Sequence, residues 1–143
     1  MRNVESCRIL SNPKLFFQKK VWISRRFKGE DGKPLPFVIR VIDQETNAKL
    51  LKQATRKNRV NGQMVQEMDA DRYGKLLVDA CVVEPNFRDS EVCAYYKTTD
   101  PLEVPGRMLT AGEYNRLVGE IRKLNELVES DEELEALEET AKN

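Results

Sequence analysis

The sequence predicts an α+β domain in which an N-terminal β-hairpin packs on a mainly α-helical body of four to five helices. Three observations carry that expectation. Two seven-residue runs rich in branched and aromatic side chains stand near the start, later segments repeat their apolar residues at helical spacing, and capping residues sit just ahead of those segments. The 143 residues, 40% hydrophobic and 34% charged, have the composition of one globular domain. At this length a fold buries roughly 68–70% of the surface its unfolded chain exposes, so no metal or disulfide staple is needed.

Residues 1–20 show no clear periodicity and are broken at Asn12-Pro13, which marks them as a poorly ordered arm or an added edge element. A single α+β domain is expected over 21–128. The runs VWISRRF and PFVIRVI, separated by KGEDGKPL, read as a hairpin. Strand alternation puts Val21, Ile23 and Phe27 on one face of the first run, and Phe37, Ile39 and Val41 on one face of the second. An isolated hairpin is marginal in water, so this face has to rest on the helices that follow.

Asp43 caps a helix running to about Thr55, with Leu50, Leu51 and Ala54 as its narrow stripe. RKNRVNGQ then interrupts, its Asn61-Gly62 pair fitting either a loop or a short second hairpin. Asp69 caps the core helix, where Tyr73, Leu76, Leu77, Ala80 and Cys81 share one face and Glu84-Pro85 forces an end. A short helix starts at Asp89 or Ser90. TTDPLEVPGRM reads as turns with one helical turn after Asp100-Pro101, stopped by Pro105-Gly106. Thr110 and Glu113 form a capping box for the last long helix, whose stripe runs from Tyr114 through Leu117 and Ile121 to Val128. Residues 129–143 form an acidic tail or marginal helix with Leu134 and Leu137 as its only stripe, too little to hold it firmly.

Several function classes drop out. Three cysteines and no histidine cannot supply the four clustered soft ligands of a structural zinc site, and they leave no Ser-His or Cys-His nucleophile pair. Neither phosphate-cradling glycine motif occurs. Each carboxylate cluster already has a role as cap or solvated face, so no catalytic residue, cofactor or small-molecule substrate is expected. With a mean hydropathy of −0.61 and no apolar stretch near the roughly 20 residues of a spanning helix, no membrane role is expected either, and the chain reads as cytoplasmic.

The charge is zero in sum but divided, with 15 Lys and Arg against 5 Asp and Glu in residues 1–60, and 9 against 19 in the remainder. The basic residues Lys19, Lys20, Arg25, Arg26 and Lys28 interleave with aromatics, as in a nucleic-acid binder. A pI of about 6.4 and the acidic tail argue against that partner.

The succession WISRRFKGEDGKPLPFVIRVI, TRKNRVNGQ, DADRYGKLLVDACVVEPNFRDSEV, MLTAGEYNRLVGEIRKLN and EETAKN resembles the phage tail assembly chaperones of tailed phages and of defective prophages in Gram-positive bacteria. The resemblance covers residues 20–143. It implies a non-enzymatic accessory protein that binds the tape measure protein, keeps it soluble and brings tail tube subunits to it. Such a protein acts in the bacterial host cytoplasm and is absent from the mature virion. A short form beside a frameshift-extended one is also implied, this chain corresponding to the short form. The alternatives are a small nucleic-acid-binding regulator and a structural tail component, and a homo-oligomer stays open. For the client-facing patch the candidates are Trp22, Phe27 and Phe37 on the hairpin, Tyr95 and Tyr96 beyond the core helix, and Leu134 and Leu137 in the tail. The bland alternative is that these side chains merely pack the hairpin onto the helices.

Overall fold

A computed structural model describes residues 17–127 and 131–142. Its elements are β1 (Gln18–Val21), β2 (Phe37–Arg40), α1 (Gln44–Ala54), β3 (Thr55–Val60), β4 (Gln63–Met68), α2 (Ala70–Cys81), β5 (Val82–Glu84), α3 (Ser90–Tyr95), a 3₁₀ turn at Pro101–Glu103, α4 (Val104–Met108), α5 (Ala111–Leu124) and α6 (Asp131–Lys142). The α+β class and the leading hairpin stand. Six α-helices are present among the described residues, against the four to five expected.

The first hairpin lies earlier in the chain than its richest apolar run. Strand β1 pairs antiparallel with β2 in a register that sets Val21 opposite Phe37 and Gln18 opposite Arg40. Gln18–Lys20, read as part of the arm or of an added edge element, lie in the edge strand of the sheet, while residues 22–36 form the connection, closed near its tip by a bridge between Lys28 and Pro34. The expected face survives the shift. Val21, Ile23, Phe37 and Ile39 are all buried because the alternation carries past the strand's hydrogen bonds.

A third strand was not anticipated. Helix α2 ends at Cys81, and Val82–Glu84 turns back as β5 to pair with β2, making a sheet of order β1-β2-β5. Two valines after a helical run extend the helix as an apolar stripe just as readily as they form a strand, so periodicity could not separate the two.

Helix α2 lies at the centre, packed on α1 and α5. Leu77, Val78 and Cys81 of α2, Leu117 and Ile121 of α5 and Val104 of α4 are fully buried with Ile23 and Ile39. Caps appear where the sequence places them: Asp43 accepts from the Thr46 amide, Asp69 from Arg72, and Asp89 from Glu91. Thr110 and Glu113 close both halves of the capping box.

Two boundaries differ from expectation. Pro105-Gly106 does not stop a helix but lies inside α4, with the proline in the first turn, where its missing N–H has no helical acceptor to lose. Helix α5 ends at Leu124, short of Val128, which lies outside the described residues. Its end is a Schellman turn in which Leu127 N–H donates to the Arg122 carbonyl (2.9 Å) and Glu126 N–H to that of Lys123 (3.2 Å), with Glu126 left-handed at φ 56. The Asn125 side chain reinforces the stop, donating to the Ile121 carbonyl (2.9 Å) and accepting from the Ile42 amide (2.9 Å), which ties the helix end to the chain leaving β2.

Candidate protein-binding surface

Six of the large exposed apolar side chains fall in two regions, while Phe17, Tyr95 and Leu127 are exposed elsewhere along the chain. The first surrounds the connection of the leading hairpin, where Trp22 is 59% exposed and Leu35 49%. Trp22 lines a shallow recess of about 320 Å³ with Ile23, Ser24, Arg25, Pro34 and Arg116. Arg116, on α5, donates to the Ile23 carbonyl and so anchors the recess to the helical body.

A charged node stabilises this connection. Arg26 Nε donates to Glu113 Oε2 (3.2 Å), and its Nη2 donates to Glu113 Oε1 and to the Met108 carbonyl (3.0 Å). Glu113 also accepts from the Thr110 amide at 2.8 Å, so one carboxylate serves a helix cap and an ion pair at once. The Arg26 guanidinium, with Ser24 and the Thr110 backbone adding to it, holds the Glu113 carboxyl well below the usual carboxylate range. Arg26 also lies over the Phe27 ring, 4.9 Å from its centroid.

The predicted aromatics separate into distinct environments. Phe37 is a core residue, 3% exposed, and leaves the client-facing set: it opposes Val21 on the inward side of β2 and packs against the half-buried Phe27 at 5.7 Å between ring centroids. Trp22 and Tyr95 are exposed, the latter by 78%, and Tyr96 is half-buried with Tyr95 edge-on to it at 4.9 Å. Burial pushes the Tyr96 phenol up from its ordinary value, while the Arg26 charge opposes the shift. Arg26 therefore links Phe27 and Glu113. Leu134 and Leu137 fall in α6, but their side chains lie outside the described residues.

The second region was not among the candidates. Strands β3 and β4 form a separate two-stranded ribbon around an Asn61-Gly62 turn, both residues at positive φ (51 and 79) as a type I′ hairpin demands. All but Thr55 of its strand residues are exposed. The register sets Arg59 opposite Met64 and Thr55 opposite Met68, so Lys57, Arg59, Met64 and Met68 share one face. Val60 and Val65 share the other with Arg56 and Glu67. Near its root the ribbon is tied down by Asp69 N–H to the Ala54 carbonyl (2.8 Å) and by the Arg56–Asp69 ion pair (3.1 Å). Its signal in the sequence was the failure of RKNRVNGQMVQEM to keep its apolar residues on one face.

No group of three or more potential metal ligands occurs among the described residues. Burial raises the Cys81 thiol to about 11, against the opposing effects of Arg40 and Asn125, which leaves it an inert apolar filler at neutral pH. Among the described residues no helix is long and apolar enough to cross a membrane.

A small body with caps and ion pairs along its helices, exposed Trp22 and Leu35 at the connection of its first hairpin, and exposed Val60, Met64, Val65 and Met68 on its ribbon has the surface pattern of an accessory protein. Residues 12–142 match the family described as phage XkdN-like tail assembly chaperone protein, and the chain belongs to it. It is 36% identical over 126 residues to the uncharacterised protein YqbN of Bacillus subtilis strain 168, and 34% identical over the same length to the phage-like element PBSX protein XkdN of that strain. Each alignment covers 87% of this chain and 83% of the relative. The crystal structure of YqbN superposes with a TM-score of 0.66 at 29% identity, covering 76% of this chain and 84% of that one.

Proposed function

We propose that the chain binds the tape measure protein during tail morphogenesis, keeps that long helical client soluble, and recruits tail tube subunits to it. It works in the host cytoplasm, makes and breaks no bond, and is left out of the finished virion. The reading is carried by one observation: a chain of the tail assembly chaperone family leaves large apolar side chains uncovered at the connection of its first hairpin and on its ribbon. Apolar anchors on a charged, compact body can hold a helical segment reversibly without coaggregating with it. Trp22, Leu35 and Tyr95 on one side and Val60, Met64, Val65 and Met68 on the ribbon are the contact residues, and the methionines adapt to varied partners.

The test is co-expression of the tape measure protein with the chain, followed by affinity purification. The client stays in the soluble fraction and co-purifies with the chain, and tube protein joins the complex when it is added. A client that is equally soluble without the chain, or stoichiometric recovery of the chain from purified particles, defeats the reading.

A further inference from the structure

We propose that copies of this chain associate head to tail, the acidic C-terminal helix of one copy docking on the β3–β4 ribbon of another. The contact shares Met64 and Met68 with the proposed client surface and would compete with a client there, but it does not rest on that reading.

The ribbon face made by Lys57, Arg59, Met64 and Met68 is positively charged and apolar at once. Among the described residues neither Lys57 nor Arg59 has an ion-pair partner, whereas Arg56, on the opposite face, is held by Asp69. Helix α6, DEELEALEETAK, carries six carboxylates against one lysine. Glu135, Ala136 and every residue from Glu138 to Lys142 are exposed. At 100° per residue these positions leave every direction around the helix open to solvent except the sector around position 137. A lone helix of 12 residues is marginal in water, and an acidic one with two leucines in its sequence gains most from a basic, apolar seat.

The sizes agree. Twelve helical residues span about 18 Å, and six-residue strands span about 20 Å, so the helix can lie along the ribbon face. Its carboxylates then meet Lys57 and Arg59 while its leucine-bearing stretch meets the two methionines. Such a contact joins two different surfaces and leaves one ribbon and one helix free at the ends, so the assembly grows with concentration unless a rotation closes it.

Sedimentation velocity on the full chain tests this. Association rises with protein concentration at low ionic strength and falls in about 1 M salt, where screening reaches only about 3 Å. The ribbon reversal Lys57→Glu with Arg59→Glu, and the tail reversal Glu135→Lys with Glu139→Lys, each weaken self-association at least about tenfold. Mixing the two variants restores pairing, because the unaltered acidic tail of the ribbon variant meets the unaltered basic ribbon of the tail variant, and that recovery requires each altered copy to keep the surface it retains. A wild-type chain that stays monomeric at every concentration, a mixture that fails to recover, or cross-links confined to ribbon and tail of the same copy would overturn the proposal. In the last outcome the tail is an intramolecular cover, and in the first the ribbon's occupant is another protein.

Discussion

The two hairpins use the same local devices and meet opposite fates. In the leading hairpin Val21, Phe37 and Ile39 fall on one side of the pleat, and helices α2 and α5 close over it. In the ribbon Val60 and Val65 point one way and Met64 and Met68 the other, so no single helix could cover both pairs, and both faces stay wet. Strand formation needs only a competent turn and cross-strand pairing, whereas burial needs the apolar residues to agree on a face. The first hairpin is a structural element, and the second is held outward with its surface unspent.

The sharpest way to break that contrast begins with a buried side chain of the first hairpin. Ile39→Ala removes a fully buried side chain at the centre of the sheet and should cost about 2–5 kcal/mol, read as a lowered urea midpoint. A smaller loss would mean that β2 is not part of the core. Next comes the node that holds the connection of the first hairpin to α5. Because Arg26 lowers the folded-state pKa of Glu113, the pair contributes stability that is fully present above the ordinary carboxylate value of 4.5 and is lost progressively as pH falls toward the lowered value. Arg26→Met should therefore be less stable than the parent at pH 7, and the gap should shrink as the urea titrations move below pH 4.5. A gap independent of pH would show that Arg26 acts only through packing on Phe27.

Much of this architecture is legible in the sequence because it is local. Asp43, Asp69 and the Thr110–Glu113 box announce helices by side-chain chemistry within four residues, and the Tyr73-to-Cys81 spacing names the core face of α2 directly. What stayed hidden depends on partners far along the chain. Strand β5 exists because β2 offers it an edge, and the node at Glu113 joins residues 87 apart. Among the candidate contact residues, Phe37 was misplaced for the same reason. An aromatic on a short strand is exposed or buried according to which side a helix covers, and that is set by α2 and α5.

A local feature that contradicts its own sequence should yield to correction. Glu126 adopts the left-handed conformation at φ 56 that suits glycine, at the C′ position of the Schellman turn. Glu126→Gly relieves that strain at the cost of a more flexible unfolded chain, for a net gain of about 0.5–1 kcal/mol in thermal unfolding. A loss of stability would show that the carboxylate makes a contact worth more than the strain.

The smallest expected change in stability is the one that matters most for function. Val65→Thr and Met64→Gln remove apolar surface from opposite faces of the ribbon at sites 44% and 61% exposed, where nothing is buried and no cavity is left. Each should move the unfolding midpoint by less than about 0.5 kcal/mol, the usual range for surface positions. If the ribbon were only a long turn between α1 and α2, the substitutions would be silent in every assay. If it is a contact surface, co-purification of the client or self-association falls while the fold is untouched, and the face on which the loss is greater separates the two uses. Loss on substitution of Met64 alone points to the basic face and the acidic helix of a neighbouring copy, and loss at Val65 points to a partner seated on the other side.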